Sequence, residues 1–246
     1  EKYEKCTRMQ VYDRAPYAGA LVFAAFSGSH QDAIAKGMKY RAKHKLHNWS
    51  VPYIPIDPKD INRTYDADVI RVNSQSGKGG IGYVLEQSYG YALPAKMREH
   101  FSYLCKHVSD AEHRELKNSD ILDIFLSSYM DIKTPISIAN MSFVQKDGGV
   151  DAYVTFDNNG EITTVHTTGN GSLDAVSNAL KKFTGSNYRL KVYNEHSVQE
   201  QCSDSTAAAY IGLEIDGQMY WGAGSDTDII RASINALISA YNNLKG

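Results

Sequence analysis

The strongest constraint in this 246-residue chain is a repeat in its last third. At an offset of 57 residues Tyr153 falls on Tyr210, Gly160 on Gly217 and Ala175 on Ala232, while Asn178-Ala179-Leu180 falls on Asn235-Ala236-Leu237. Asp157 meets Glu214 and Ile136 meets Tyr193 at the same spacing. Matches running from Ile136 to Leu237 without a gap mark an internal duplication. Each copy reads strand, strand, turn, strand, glycine loop, helix. The first is "ISIANMSFVQ", "VDAYVTFD", "ITTVHTT", "GNG", "LDAVSNALKKF"; the second is "YRLKVYNEH", "AAAYIGLEI", "QMYWGAG", "TDIIRASINALISAY". Two βββα units in tandem predict an α+β domain over residues 133–246, with pseudo-twofold symmetry, strands on one face and helices on the other. Such a unit carries no nucleophile–base pair and no metal cluster. The seam between symmetric halves is instead a natural small-ligand pocket, which points to a sensor rather than a catalyst.

The residues before it divide differently. Residues 1–8 read as a helical tail, 9–90 as a small mixed linker subdomain and 91–132 as a helical subdomain. "GALVFAAF" (19–26) is strand-like. Ser29 followed three residues later by Asp32 is a capping-box signature that starts a helix and sets His30 in its first turn. On the residues alone, His30 reads as a partly exposed helix-start histidine without chemistry. In "VPYIPIDPKDINRTY" the prolines forbid a continuous helix, and Tyr53 between Pro52 and Pro55 either packs or is aimed by a stiff segment. Further on, "NSQSGKGG" (73–80) resembles a phosphate loop at a glance. The P-loop pattern fails at both ends, because Val72 stands at its first glycine and Gly79 follows Lys78. A glycine-rich turn between strands 67–73 and 80–86 is expected. In residues 92–130, Pro94 suits a first helical position, and Met97, Phe101, Leu104 and Val108 repeat at helical spacing. A second helix, "SDILDIFLSSYM", takes Ser119 or Asp120 as N-cap.

Composition excludes several classes. A formal net charge of −2 offers no general basic face for nucleic acid. The longest apolar run, Ala18–Phe26, is too short to span a bilayer. Cys6, Cys105 and Cys202 are odd in number and far apart, which suits a reducing, cytoplasmic compartment and no thiolate metal site. His100, His107 and His113 lack i, i+4 spacing, and His44 and His47 lack a third ligand, so no metal ligands are assigned.

Three stretches resemble one family. "AFSGSHQDAIAKG", "VPYIPIDPKDINRTYDADVIRVNSQSGKGGIGYVLE" and the tandem "GNGSLDAV…GAGSDTDIIRASINALISA" are similar to the C-terminal half of long-form 2-isopropylmalate synthases. The resemblance covers essentially the whole chain. It implies an acyltransferase whose TIM barrel condenses acetyl-CoA with 2-oxoisovalerate in leucine biosynthesis, using a divalent metal (Mg, Mn or Zn) as Lewis acid. The family's H-x-H metal pair does not occur in this sequence, so neither bound metal nor activity is expected of this portion alone. Residues 1–8 would be the end of the barrel's last helix. His30 matches the histidine of the family's S-G-x-H-Q-D motif and Tyr53 the tyrosine of V-P-Y. In the family both reach into the partner subunit's active site near the thioester, where an imidazole suits proton transfer. That implication reverses the inert reading of both.

The duplicated module resembles the family's leucine-sensing, dimerising domain. The implied pocket positions are Leu173, Asp174, Leu190, Tyr193, Ser197, Ser205, Ala207 and Ile229. Gly169, Gly171 and the following helix start would offer N–H groups to a carboxylate. Asp174 serves either as acceptor for the ammonium or as a helix cap; Leu190, Ala207 and Ile229 serve as slot, core or both. The chain departs from the family's usual proline at Ser172, tyrosine at Asn194 and alanine at Ser197 and Ser205. The expectation is therefore a homodimeric, L-leucine-binding regulatory portion with no membrane or nucleic-acid partner. The alternatives are the same portion of a citramalate synthase, or a free-standing amino-acid sensor.

Overall fold

The structure, a computed structural model, describes residues 2–12, 15–17, 19, 28–62, 78–114, 116–198 and 206–245. Its contacts separate two units, residues 1–88 with 98–121 and residues 89–97 with 122–246. Among the described residues no helix is long and apolar enough to cross a membrane.

In the first unit a short helix α1 (Lys2–Thr7) precedes α2 (Gly28–His44). The strand expected over 19–26 lies, apart from Gly19, outside the described residues, as does that over 67–73. Ile34 of α2 packs with Val51 and Ile54, and Met38, Trp49, Ile56 and Ile61 surround them. Burying each such aliphatic side chain contributes about 1.5–3 kcal/mol, enough to fold the proline-rich segment onto the helix. Gly37 permits the close approach: a Cβ there would lie 2.7 Å from Pro52 Cδ. A 3-10 turn, Pro58–Ile61, follows, with the Asp57 side chain accepting from the Lys59 N–H at 3.0 Å.

The expected strand over 80–86 is instead part of helix α3 (Lys78–Tyr89). Ile81, Val84 and Leu85 are buried, a three-and-four spacing that fits one helical face and would split between the two faces of a strand. In α4 (Ala95–Glu112) the buried stripe is Met97, Phe101 and Cys105, with Leu104 and Val108 only half-buried beside it. Burial pushes the Cys105 thiol up to about 12, so it is an inert core group. Helix α5 (Asn118–Tyr129) begins before both expected caps. Asp120 sits in its first turn and accepts from the Lys117 N–H at 2.8 Å, the reciprocal half of a capping box.

The second unit carries the duplication. Strands β1 (Ile136–Lys146), β2 (Gly149–Asn158) and β3 (Glu161–Gly169) form an antiparallel sheet followed by α6 (Ser172–Thr184). Strands β4 (Arg189–Ser197), β5 (Ala207–Ile215) and β6 (Gln218–Asp226) form a second, followed by α7 (Ile229–Lys245). The tandem βββα α+β architecture is as the repeat predicts. One shared core holds Val154, Phe156, Leu180, Ile211, Leu213 and Leu237.

The repeat is not gapless in three dimensions. Second strands, third strands and helices superpose in sequence at 57, but Ile138 pairs Phe156 where Leu190 pairs Leu213, each just before a bulge. The first strands therefore correspond at 52. Ile136 matches buried Tyr188 rather than Tyr193, and the five additional residues lie in the β4–β5 connection. A two-residue hairpin loop became a longer one without disturbing the pairing, since loop closure grows costlier only slowly with length. The second half also packs closer. Cβ atoms on Gly222 and Gly224 would lie 2.1 Å from Ala240 N and 2.2 Å from Ala232 O, so β6 meets the α7 backbone directly.

Candidate functional site

The first candidate lies in the first unit. Residue His30 is exposed in the first turn of α2, and Tyr53, 65% exposed, sits in the turn that follows buried Val51. Their rings stack, with centroids 4.1 Å apart and planes 29° from parallel. Tyr53 adopts φ +62°, a conformation that costs free energy for a residue with a Cβ and persists only where neighbours impose it. Buried Val51 and Ile54 on either side impose it here, and the Trp49 Nε1–H donates to the Ile54 carbonyl at 2.6 Å. The sequence separates these rings by a helix and a proline-rich loop. The fold joins them as an exposed pair held by a buried base.

The second candidate lies on the sheet module. Leu190, Tyr193 and Ser197 of edge strand β4 stand opposite Leu213, Ile211 and Ala207 of β5. Directly opposed residues share a face, and Ile211 and Leu213 belong to the core, so all four expected pocket positions in these strands lie on the helix-side face. Leu190 (37% exposed) and Tyr193 (41%) remain half-bare there, as do Ile229 and Ile230 at the start of α7. The Tyr193 hydroxyl bonds Ser233 Oγ at 2.9 Å and donates to the Glu195 carboxylate. Ser233 Oγ also lies 2.7 Å from the Ile229 carbonyl, so its one proton goes either to that carbonyl or to the Tyr193 oxygen. Partial burial first, then the Glu195 hydrogen bond, hold the Tyr193 phenol above its usual range. Leu190, opposite Leu213, stands six residues along β5 from Ala207, about 20 Å away, so the structure does not bring Leu190 to the Ala207 end. That end, where β6 leads into α7, offers apolar surface at Ala207 and Ile229, hydroxyls, and one carboxylate able to meet an ammonium. Sequence reasoning missed Ser233 and Glu195. Their only signal was position: Ser233 one turn after Ile229, Glu195 two residues after Tyr193 on the same strand.

The remaining expected positions gather at the start of α6, the symmetry counterpart of the α7 start. Gly169 approaches the helix so closely that a Cβ would lie 2.4 Å from Ala175 N. Gly171 is the N-cap, extended at φ −162° and without a side-chain cap. Leu173 packs on the core. Asp174 Oδ2 accepts from the Asn170 N–H at 2.9 Å, the capping role, and it is exposed. Ser205 lies outside the described residues. Among the described residues no three His, Cys, Asp or Glu side chains converge as metal ligands would.

Residues 20–86 match the family described as alpha-isopropylmalate synthase, post-catalytic domain-like, and residues 115–245 match the LeuA allosteric (dimerisation) domain. The chain is 52% identical over 244 residues to a 2-isopropylmalate synthase of Desulfitobacterium hafniense, covering 99% of the chain and 43% of that protein. It is 46% identical over 250 residues to one of Helicobacter hepaticus, covering 98% and 45%, and 40% identical over 253 residues to one of Clostridium acetobutylicum, covering 100% and 45%. The chain spans less than half the length of the curated relatives it matches.

Proposed function

The chain belongs to the alpha-isopropylmalate synthase family, and from that premise we propose that it is the regulatory portion of an acyltransferase of leucine biosynthesis, binding L-leucine as feedback inhibitor. The observation that carries this reading is that Tyr193, Ser197 and Ala207 share one sheet face, with the Tyr193 hydroxyl bonded to Ser233 one turn after half-bare Ile229 of α7. A branched aliphatic side chain would lie against Ala207 and Ile229, and Glu195, beside Tyr193, would accept from its ammonium. The N–H groups and Asp174 at the α6 start, around Gly169 and Gly171, would serve a carboxylate and an ammonium at the symmetry-related position of the other half. Ser197 and Ser205 would add hydroxyls at the rim.

A homodimer is part of the proposal. The half-bare edge strand supports it, because a second copy would cover apolar surface that one chain leaves open. In the complete enzyme, His30 and Tyr53 would stand beside the thioester of acetyl-CoA in the partner's active site. There the imidazole would take a proton from the acetyl methyl carbon, and Tyr53 would hold the ring by stacking. The enolate so formed would attack the keto carbon of 2-oxoisovalerate, the resulting alkoxide would take up a proton, and water would cleave the thioester to release CoA. A divalent metal bound elsewhere in the complete enzyme would supply Lewis-acid chemistry. Leucine would inhibit by binding two states of the assembly with different affinity, which biases how the linker presents this pair.

Thermal unfolding with L-leucine, L-isoleucine and L-valine tests the reading. A ligand at 100 times its Kd that binds only the folded state stabilises by about 2.7 kcal/mol, a shift of several degrees. A leucine-selective shift, reduced by Ile229→Ala and Tyr193→Phe, is the expected result. An isoleucine-selective shift would favour a citramalate synthase, and no shift with any of the three would refute the sensor.

A further inference from the structure

Residues 36–59 carry six Lys or Arg and one Asp, a local excess of five positive charges in a chain whose net charge is −2. Arg41, Lys43 and His44 in the last turn of α2 suit the negative end of the helix dipole. Lys45, His47 and Lys59 lie beyond that turn and are exposed, so the dipole does not account for them. They edge a groove of about 690 Å³ whose walls include Met38, Trp49 and Pro58. The Arg41 guanidinium lies 4.8 Å over the Trp49 ring and is anchored by the His47 and Asn48 carbonyls, each at 3.2 Å, and by Asp57 at 3.5 Å. The groove thus joins a flat, cationic floor, the Arg41–Trp49 stack, to a rim of exposed ammonium groups. Flat floors suit a planar ring, and ammonium rims suit phosphate oxygens.

We propose that this groove binds the phosphorylated adenosine end of an acyl-CoA, so that α2 serves as a ruler between the two ends of the substrate. The proposal rests on the reading that His30 faces a thioester. From His30 to the helix and turn residues lining the groove, Met38 to Lys45, the rise is about 12–22 Å at 1.5 Å per residue. The atoms joining a CoA sulfur to its ribose equal between five and six extended residues, about 19 Å. One helix therefore presents an imidazole at the acyl end and a cationic groove where the nucleotide end arrives.

Titration of the chain's tryptophan fluorescence with CoA, 3′,5′-ADP, 5′-ADP and inorganic phosphate tests this, with the Lys45→Ala/Lys59→Ala variant beside the parent. Both substituted side chains are exposed, and far-UV circular dichroism checks the fold. The expected result is one CoA per chain, competed by 3′,5′-ADP and poorly by phosphate, with affinity roughly tenfold lower in the variant. Failure of CoA to bind overturns the proposal, as does equal competition by phosphate or an unchanged affinity in the variant. Tighter binding of 5′-ADP than of CoA would reassign the groove to free nucleotides and overturn it equally. Leucine-dependent thermal shifts in the same samples keep the failures apart: a retained shift with no CoA binding sinks the groove alone, and loss of the shift sinks the sensor reading.

Discussion

Asn242 is where the duplicated module is most exposed to a single substitution. It lies on α7 at 2% exposure, and its amide meets the chain where β1 begins. Oδ1 accepts from the Ile136 N–H at 3.1 Å; Nδ2 donates to the Ile132 and Ile136 carbonyls at 2.8 and 2.7 Å. Asn242→Leu keeps the volume and removes all three bonds. A net hydrogen bond is worth about 1 kcal/mol, and a buried group left unsatisfied costs about 1–3 kcal/mol, so the loss is roughly 3–4 kcal/mol. At about 2.1 cal/mol/K of unfolding entropy per residue, a unit of this size loses roughly 10–14 °C in Tm. Asn242→Asp is more diagnostic. Its carboxylate keeps the acceptor for the Ile136 N–H but turns a bare oxygen toward two carbonyl oxygens, which raises its folded-state pKa. The folded state then binds more protons than the unfolded state between the ordinary carboxylate pKa and the raised one, so stability falls as pH rises through that window. Urea unfolding followed by circular dichroism across the acid range measures both. A loss under about 1 kcal/mol for Asn242→Leu, or an Asn242→Asp profile parallel to the parent's, would refute the reasoning.

Three further outcomes follow from the same geometry. Gly222→Ala forces a methyl against the α7 backbone and should cost about 1–3 kcal/mol or more, whereas Gly171→Ala, extended and with nothing within 4 Å, should stay within about 0.5 kcal/mol; paired urea midpoints check this. Burial holds the half-buried Asp131 carboxyl above its usual range, so its contribution favours folding at low pH and fades as pH rises through the raised value. Asp131→Asn should flatten that part of the stability profile in urea midpoints across the same range. In the complete enzyme, His30→Ala should lower kcat by about 10²–10⁴ while leaving the leucine-induced thermal shift of the chain intact; steady-state rates and melting curves separate the two.

How far the sequence carried this fold depends on the range over which each element is decided. The helices and strands of the repeat were readable because two copies of one pattern vote together, and Gly171 and Gly185 bound α6 as a helix's punctuation should. Helix α3 was misread because its glycines and β-branched residues lower helix propensity locally, while the burial of Ile81, Val84 and Leu85 overrides it. The shifted first strand was invisible because residue matching rewards a constant offset, and only the pairing partners of Ile138 and Leu190 reveal the longer loop. Of the candidate sites, His30 and Tyr53 were legible through motif likeness, but their stacking is a tertiary fact. Ser233 became visible only as the partner of the Tyr193 hydroxyl.

The two halves of the module have diverged where their outer faces meet different surroundings, and the equivalent tyrosines expose the difference. Tyr153 is 45% exposed and stacks on His166 with centroids 4.5 Å apart. Its counterpart Tyr210 is fully buried and stacks on His196 at 5.5 Å; the His196 ring is fixed by the Gly90 carbonyl, 2.8 Å from Nε2. Burial and the nearby Tyr91 push the Tyr210 phenol far up, and among the described residues no hydrogen-bond partner satisfies its hydroxyl. An orphaned buried hydroxyl is a cost that the exposed copy does not bear. Tyr210→Phe deletes that cost while keeping the ring, so the variant should be unchanged or up to about 1 kcal/mol more stable; Tyr153→Phe, where water serves the hydroxyl, should stay within about 0.5 kcal/mol. Chemical denaturation of the two variants compares them directly. A loss above about 1 kcal/mol for Tyr210→Phe would mean that the hydroxyl is satisfied in solution, and that the second half buried its tyrosine by acquiring a bonded water rather than by tolerating an unpaired group.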